Sequence, residues 1–181
     1  MIVFCVFFIK IFMQIFIYYL TLRGQNCIIY YSGVILSTDI MKGIHMTRRE
    51  AREAVFGLLF ESDFRRDETP EEVYATWCEQ NGEPEGTYVK ETFFGVCQNQ
   101  EEIDATIERH SNGWKVSRLT RVSRAVIRLC VYEMVNVKDV PVAVAINEAI
   151  ELSKKFDDEK ARGFVNGVLN AIKAEFDGNA K

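Results

Sequence analysis

Pro141-Val-Ala-Val-Ala-Ile-Asn-Glu-Ala-Ile-Glu-Leu152 and Phe164-Val-Asn-Gly-Val-Leu-Asn170 each set one asparagine inside an apolar helical pattern. In the first, Pro141 suits a helix start, where a missing N–H is harmless, and Ala143, Ile146, Ile150 and Ser153 follow at helical spacing. In the second, Phe164, Val168, Leu169, Ile172 and Phe176 make a stripe of the same period. Joined by the polar stretch Lys154 to Lys160, the two helices are expected to fold back as an antiparallel hairpin. Asn147 and Asn166 are expected to be structural amides, hydrogen-bonded to helix ends or loops. Gly167 weakens a helix, which points to close approach by a neighbouring backbone.

Working outward, Thr47-Arg-Arg-Glu50 and Thr69-Pro-Glu-Glu72 are capping boxes that open two more helices. Asn81-Gly-Glu-Pro-Glu-Gly86 breaks the second, a third runs through Phe93 and Val96, and Asn99 with Glu102 caps a fourth that ends at Asn112-Gly113. Phe93, Phe94 and Trp114 are expected in the core. From Ser117 to Met134 the longest helical pattern has apolar residues on more than one stripe, as a central helix does. Arg118, Arg121, Arg124 and Arg128 lie on its polar side, read as a solvated row paired with nearby acids. No strand alternation is sustained after Met46, so the fold class is all-α, about seven helices in two packed bundles.

Residues 1 to 45 differ from the rest: they lack Ala, Glu and Pro, and Ile and Phe fill 15 of the 45 positions. The first twenty, with Lys10 their only charge, are long enough for a membrane helix but lack the basic start and small-residue cleavage site of a signal peptide. The alternative is a leader read from a misplaced start, with Met46 the true first residue. We take that reading and treat 46–181 as the helical domain. Setting aside Lys10, Arg23, Lys42 and Asp39 leaves 19 basic and 25 acidic residues, a net charge of −6. Such a chain is no general nucleic-acid binder, and any RNA contact must come from a local basic patch.

Arg48, Arg49 and Arg52 form such a patch at the start of the first helix, where positive charge opposes the helix dipole. Guanidinium forks match phosphate geometry, and the competing reading is a solvated end partly neutralised by Glu50 and Glu53. Cys5, Cys27, Cys78, Cys97 and Cys130 form no Cys-x-x-Cys pair, and no His stands at ligand spacing. They read as reduced cytoplasmic thiols, with no metal and no cofactor. No phosphate loop, nucleophile triad or carboxylate pair is present, so the expected function is binding rather than catalysis.

Ile146-Asn-Glu-Ala-Ile-Glu-Leu152 and Phe164-Val-Asn-Gly-Val-Leu169 resemble the C-terminal signature of the NusB family of transcription antitermination factors. Arg48-Arg-Glu-Ala-Arg-Glu-Ala54 with Leu59-Phe60, then Trp114, Arg118-Leu119, Ala125-Val-Ile-Arg-Leu129 and Tyr132-Glu133, resemble its opening and central helix in order. The resemblance implies an all-helical fold that binds boxA RNA of ribosomal-operon leaders together with NusE, a small-subunit ribosomal protein, within the RNA polymerase antitermination complex. It implies RNA contact at Arg48, Arg49 and Arg52 and base stacking at Phe156 and Phe164, with core packing the competing role for Phe164. The loop between those aromatics departs from the family: Ala161 stands where a small hydroxyl residue is usual and Asp157 where Gly is common, which leaves Lys160 and Arg162 as substitute contacts. NusE is expected near Arg118, Val122 and Ser123. Family members occur as monomers and as dimers, so a homodimer is open. Two alternatives remain: a domain related to the N-terminal part of ribosomal RNA cytosine methyltransferases, whose catalytic domain the sequence to Lys181 has no room for, and a membrane-tethered helical adaptor.

Overall fold

The computed structural model describes residues 43–179 and, before them, a two-residue antiparallel pairing of β1 (Tyr30–Tyr31) with β2 (Val34–Ile35). The proposed membrane helix in the first twenty residues, Cys5 and Cys27 lie outside the described residues. Met1–Lys42 and Gly43–Lys181 are separate units. Among the described residues, no helix is long and apolar enough to cross a membrane.

The second unit holds seven α-helices among its described residues: α1 (Arg48–Ser62), α2 (Pro70–Asn81), α3 (Tyr88–Gln98), α4 (Gln100–His110), α5 (Arg121–Asn136), α6 (Val142–Phe156) and α7 (Glu159–Asn179). Both predicted capping boxes form in full. The Thr47 and Thr69 hydroxyls each accept a backbone N–H at 3.3 Å, and Glu50 and Glu72 accept the threonine N–H groups at 2.8 Å. Each such cap stabilises its helix by about 1 kcal/mol. Upstream, Ile44 donates to the Glu83 carbonyl at 2.8 Å and accepts from the Glu85 N–H at 2.9 Å, so Gly43–His45 lie along the α2–α3 loop. The compact unit therefore begins three residues before Met46.

Helix α5 is the axle of the fold. It packs against α1 and α3 on one side and α4, α6 and α7 on the other, giving the two expected groups. Every residue from Ser123 to Val131 is buried. The α3 contact is close because Gly95 leaves open the space that the Tyr132 ring fills; any Cβ there would collide with it. Helices α6 and α7 form the expected hairpin, but its turn is only Asp157-Asp158, and Ala143 faces out while Ala145, Ile146, Ala149 and Leu152 make the buried stripe.

Three expectations need correcting. The helix predicted from Ser117 does not start there: Val116–Arg118 is one 3-10 turn, and Leu119 and Thr120 are extended. The Thr120 hydroxyl accepts the Ser123 N–H at 3.0 Å, so a cap interrupts what periodicity alone joins. Helix α7, at 21 residues, is the longest. Asn99 does not cap α4 with its side chain, because its amide donates to the Gly95 carbonyl at 2.7 Å and closes α3 instead.

Candidate nucleic-acid interface

The first turn of α1 separates the three arginines predicted as one patch. Arg48 and Arg49 are exposed. The Arg48 guanidinium lies 3.7 Å above the centre of the Tyr88 ring, and an Arg49 nitrogen stands 3.9 Å from Glu151, both ends of that pair exposed. Arg52 is only 5% exposed: its Nε donates to the two oxygens of Glu133 at 2.8 and 3.2 Å, and Nη1 lies 3.6 Å from Glu148. Arg52 is thus corrected from an RNA contact to an internal group, because its donors face the core carboxylate of Glu133 and the partly exposed one of Glu148. The Tyr88 hydroxyl donates to Glu133 at 2.6 Å. Burial, and then the Glu133 charge beside it, raise the Tyr88 pKa, so the phenol keeps the proton it donates.

The seam between α1 and α6 carries the second part of the surface. Phe156, 42% exposed, stacks on Phe56 with ring centres 4.8 Å apart, and the Lys155 ammonium stands 5.1 Å from the Phe156 ring and 2.7 Å from Glu53. Arg49, Lys155 and Phe156 therefore share one edge. Lys160 is exposed, and Arg162 is half-buried with Glu159 at 2.8 Å. Phe164 is half-buried against the core, which favours packing over stacking. Asp157 ties the turn down: it accepts the hydroxyls of Thr120 and Ser123, both at 2.9 Å. Asp158 accepts the Ala161 N–H at 2.8 Å and so starts α7.

The remaining predicted residues divide. Arg118 is exposed and Val122 half-buried, but Ser123 is 2% exposed and joined to Asp157, so it cannot touch a partner directly. Asn147, Asn166 and Gly167, expected as internal ties, all face outward. Asn166 makes only a local bond with Asn170 at 2.8 Å, and a Cβ on Gly167 would meet open space. Their helices bury the neighbouring positions instead. Trp114 is 54% exposed rather than core, because Asn112 and Gly113 take positive φ and turn the chain outward before it. Sequence reasoning missed Phe64, 55% exposed, which packs on Phe60 at 5.1 Å beneath the Arg121 guanidinium at 4.0 Å. The four-residue spacing of Phe56, Phe60 and Phe64 was its available signal.

A family model described as the NusB family matches residues 49–174. The chain belongs to the NusB family. The transcription antitermination protein NusB of Acetivibrio thermocellus is 40% identical over 128 residues, 70% of this chain and 88% of that protein. A solved NusB structure from T. maritima superposes with a TM-score of 0.67 at 36% identity, covering 73% of this chain and 94% of that one. A crystal structure of antitermination factors NusB and NusE in complex with double-stranded RNA gives 0.62 at 34% identity, covering 69% and 94%. The chain is a transcription antitermination factor of this family and not an enzyme.

Within this family member the predicted arginine row of the central helix divides: Arg118 and Arg121 are solvated, while Arg124 and Arg128 are buried and paired with acids. Arg121 is exposed, whereas Arg124 and Arg128 are 7% and 8% exposed. Arg124 donates to one Asp63 oxygen at 2.9 and 2.7 Å, and Arg128 forks onto Asp104 at 2.8 and 2.7 Å. These pairs line an open cleft of about 520 Å³ that Arg65, Arg66, Glu68 and Glu108 also border. Its charges balance, so it offers no net attraction to a phosphate. Cys97 on its wall is an inert thiol, its pKa pushed up to about 11 chiefly by burial.

Proposed function

We propose that this chain binds boxA RNA through Arg48, Arg49, Lys155, Phe156, Lys160 and Arg162, together with NusE, and so holds RNA polymerase in an antitermination complex in the cytoplasm. The supporting observation is that Arg49, Lys155 and the exposed Phe156 ring lie on one edge of an otherwise acidic protein. Guanidinium and ammonium groups there meet phosphates while the ring stacks on an unpaired base. Arg118 and Val122, joined by the exposed Phe64–Arg121 pair, are the proposed NusE contacts, and no residue of the reading depends on a homodimer. The RNA-binding domain is taken as 46–181, with Gly43–His45 packed against its α2–α3 loop.

Fluorescence anisotropy of labelled boxA RNA titrated with the full chain, with and without NusE and at two salt concentrations, tests the proposal. The expected result is binding that tightens with NusE and weakens with salt, and an Arg48→Ala/Arg49→Ala variant whose salt slope falls by about two phosphate contacts. RNA ignored even with NusE present would falsify it.

A further inference from the structure

The arginines of this molecule engage their neighbours in two distinct ways. Arg52, Arg124 and Arg128 point their in-plane N–H groups at carboxylates, which leaves those donors occupied. Arg48 instead sets its guanidinium carbon over an aromatic ring, 3.7 Å from the centre. A contact of this kind holds the cation while leaving donors for a phosphate fork.

The ring beneath Arg48 is itself fixed. Tyr88 opens α3, is half-buried, and ends in a hydroxyl that donates 2.6 Å to Glu133. Glu133 is 1% exposed and also receives Arg52, one turn beyond Arg48 on the same helix. Platform and passenger are thereby referred to one internal carboxylate.

We infer that Tyr88 is a positioning residue for nucleic acid: its ring, anchored by the Glu133–Arg52 pair, presents the Arg48 guanidinium with donors that no described residue occupies. The inference rests on the proposed reading that Arg48 meets RNA phosphate. A preorganised side chain loses less freedom on binding than a free one, so the platform adds affinity without touching RNA.

The test combines a double-mutant cycle with an RNA-independent signal, both on the full chain. In the free protein, NMR of the Arg48 δ-methylene protons is expected to show an upfield ring-current shift that disappears in Tyr88→Leu. With boxA RNA, Tyr88→Leu is expected to weaken binding about two- to fivefold, the lower part of what ordering one long side chain costs on binding. Tyr88→Phe, which keeps the ring, recovers most of that loss, and Arg48→Ala/Tyr88→Leu binds no more weakly than Arg48→Ala. Single effects that multiply in the double variant, or an Arg48 shift already absent in the wild type, overturn the inference; the second stands even if Tyr88→Leu fails to fold. Wild type that binds no RNA overturns the functional reading itself, whereas binding that needs Arg48 but is indifferent to Tyr88 overturns only this step.

Discussion

The two sides of helix α5 both hold charge inside a helical protein, but with opposite arrangements. Toward α1 and α3 one carboxylate, Glu133, sits in the core at 1% exposure with Arg52 and Tyr88 around it. Toward α4 and the C-terminal end of α1 two arginines line an open cleft, and their partners, Asp63 just after α1 and Asp104 on α4, keep 15% and 25% of their side-chain surface in contact with solvent. Water can replace a lost partner in the cleft and cannot in the core. Burial of the partner, more than the number of hydrogen bonds, therefore sets how much each side loses when it is broken.

The sharpest way to break this contrast is Glu133→Ala. It strands Arg52 without a full partner and is expected to lose about 3–5 kcal/mol in urea unfolding, while Arg52→Met/Glu133→Leu, which removes both charges, recovers most of that. Arg128→Ala on the cleft side is expected to lose less, about 1–3 kcal/mol, because Asp104 stays hydrated. Equal losses for these two would remove the distinction between core and cleft. Smaller again is Thr47→Ala, about 1 kcal/mol by thermal unfolding, since the cap it deletes is exposed.

The smallest effect is that of acid. Bonds from the Thr47 and Thr69 backbone N–H groups, then from their hydroxyls, hold Glu50 and Glu72 below their ordinary value of 4.5. A carboxylate whose folded pKa is depressed contributes stability above the unfolded value and loses it as pH falls through the folded one. Circular dichroism is accordingly expected to show α1 and α2 loosening only below about pH 4.5. Glu50→Gln/Glu72→Gln, which removes the titrating groups, should flatten that part of the curve.

What the sequence disclosed follows the range of each interaction. Thr47-Arg-Arg-Glu50 and Asn112-Gly113 act within a turn of backbone, and both appear where local chemistry puts them. Apolar period likewise found the α6–α7 hairpin and the axle role of α5. Arg52 could not be placed this way, because its partner Glu133 is 81 residues away and only packing brings them together. Asn147 and Asn166 were misplaced for a related reason: a residue at the rim of an apolar stripe can fall on either side, and neighbouring helices decide which. The NusB resemblance pointed to Phe156 and Phe164 alike but could not tell an exposed ring from a half-buried one.

Asp157 joins that edge to the proposed partner surface. Its carboxylate fastens the turn after Phe156 to Thr120 and Ser123 at the start of α5, beside Arg118 and Val122. A protein that shifts the start of α5 must therefore shift Phe156 as well, and thermodynamic linkage makes such coupling mutual. Whatever factor the partner adds to RNA affinity, RNA adds to the partner's, and Asp157→Ala is expected to shrink both by the same amount.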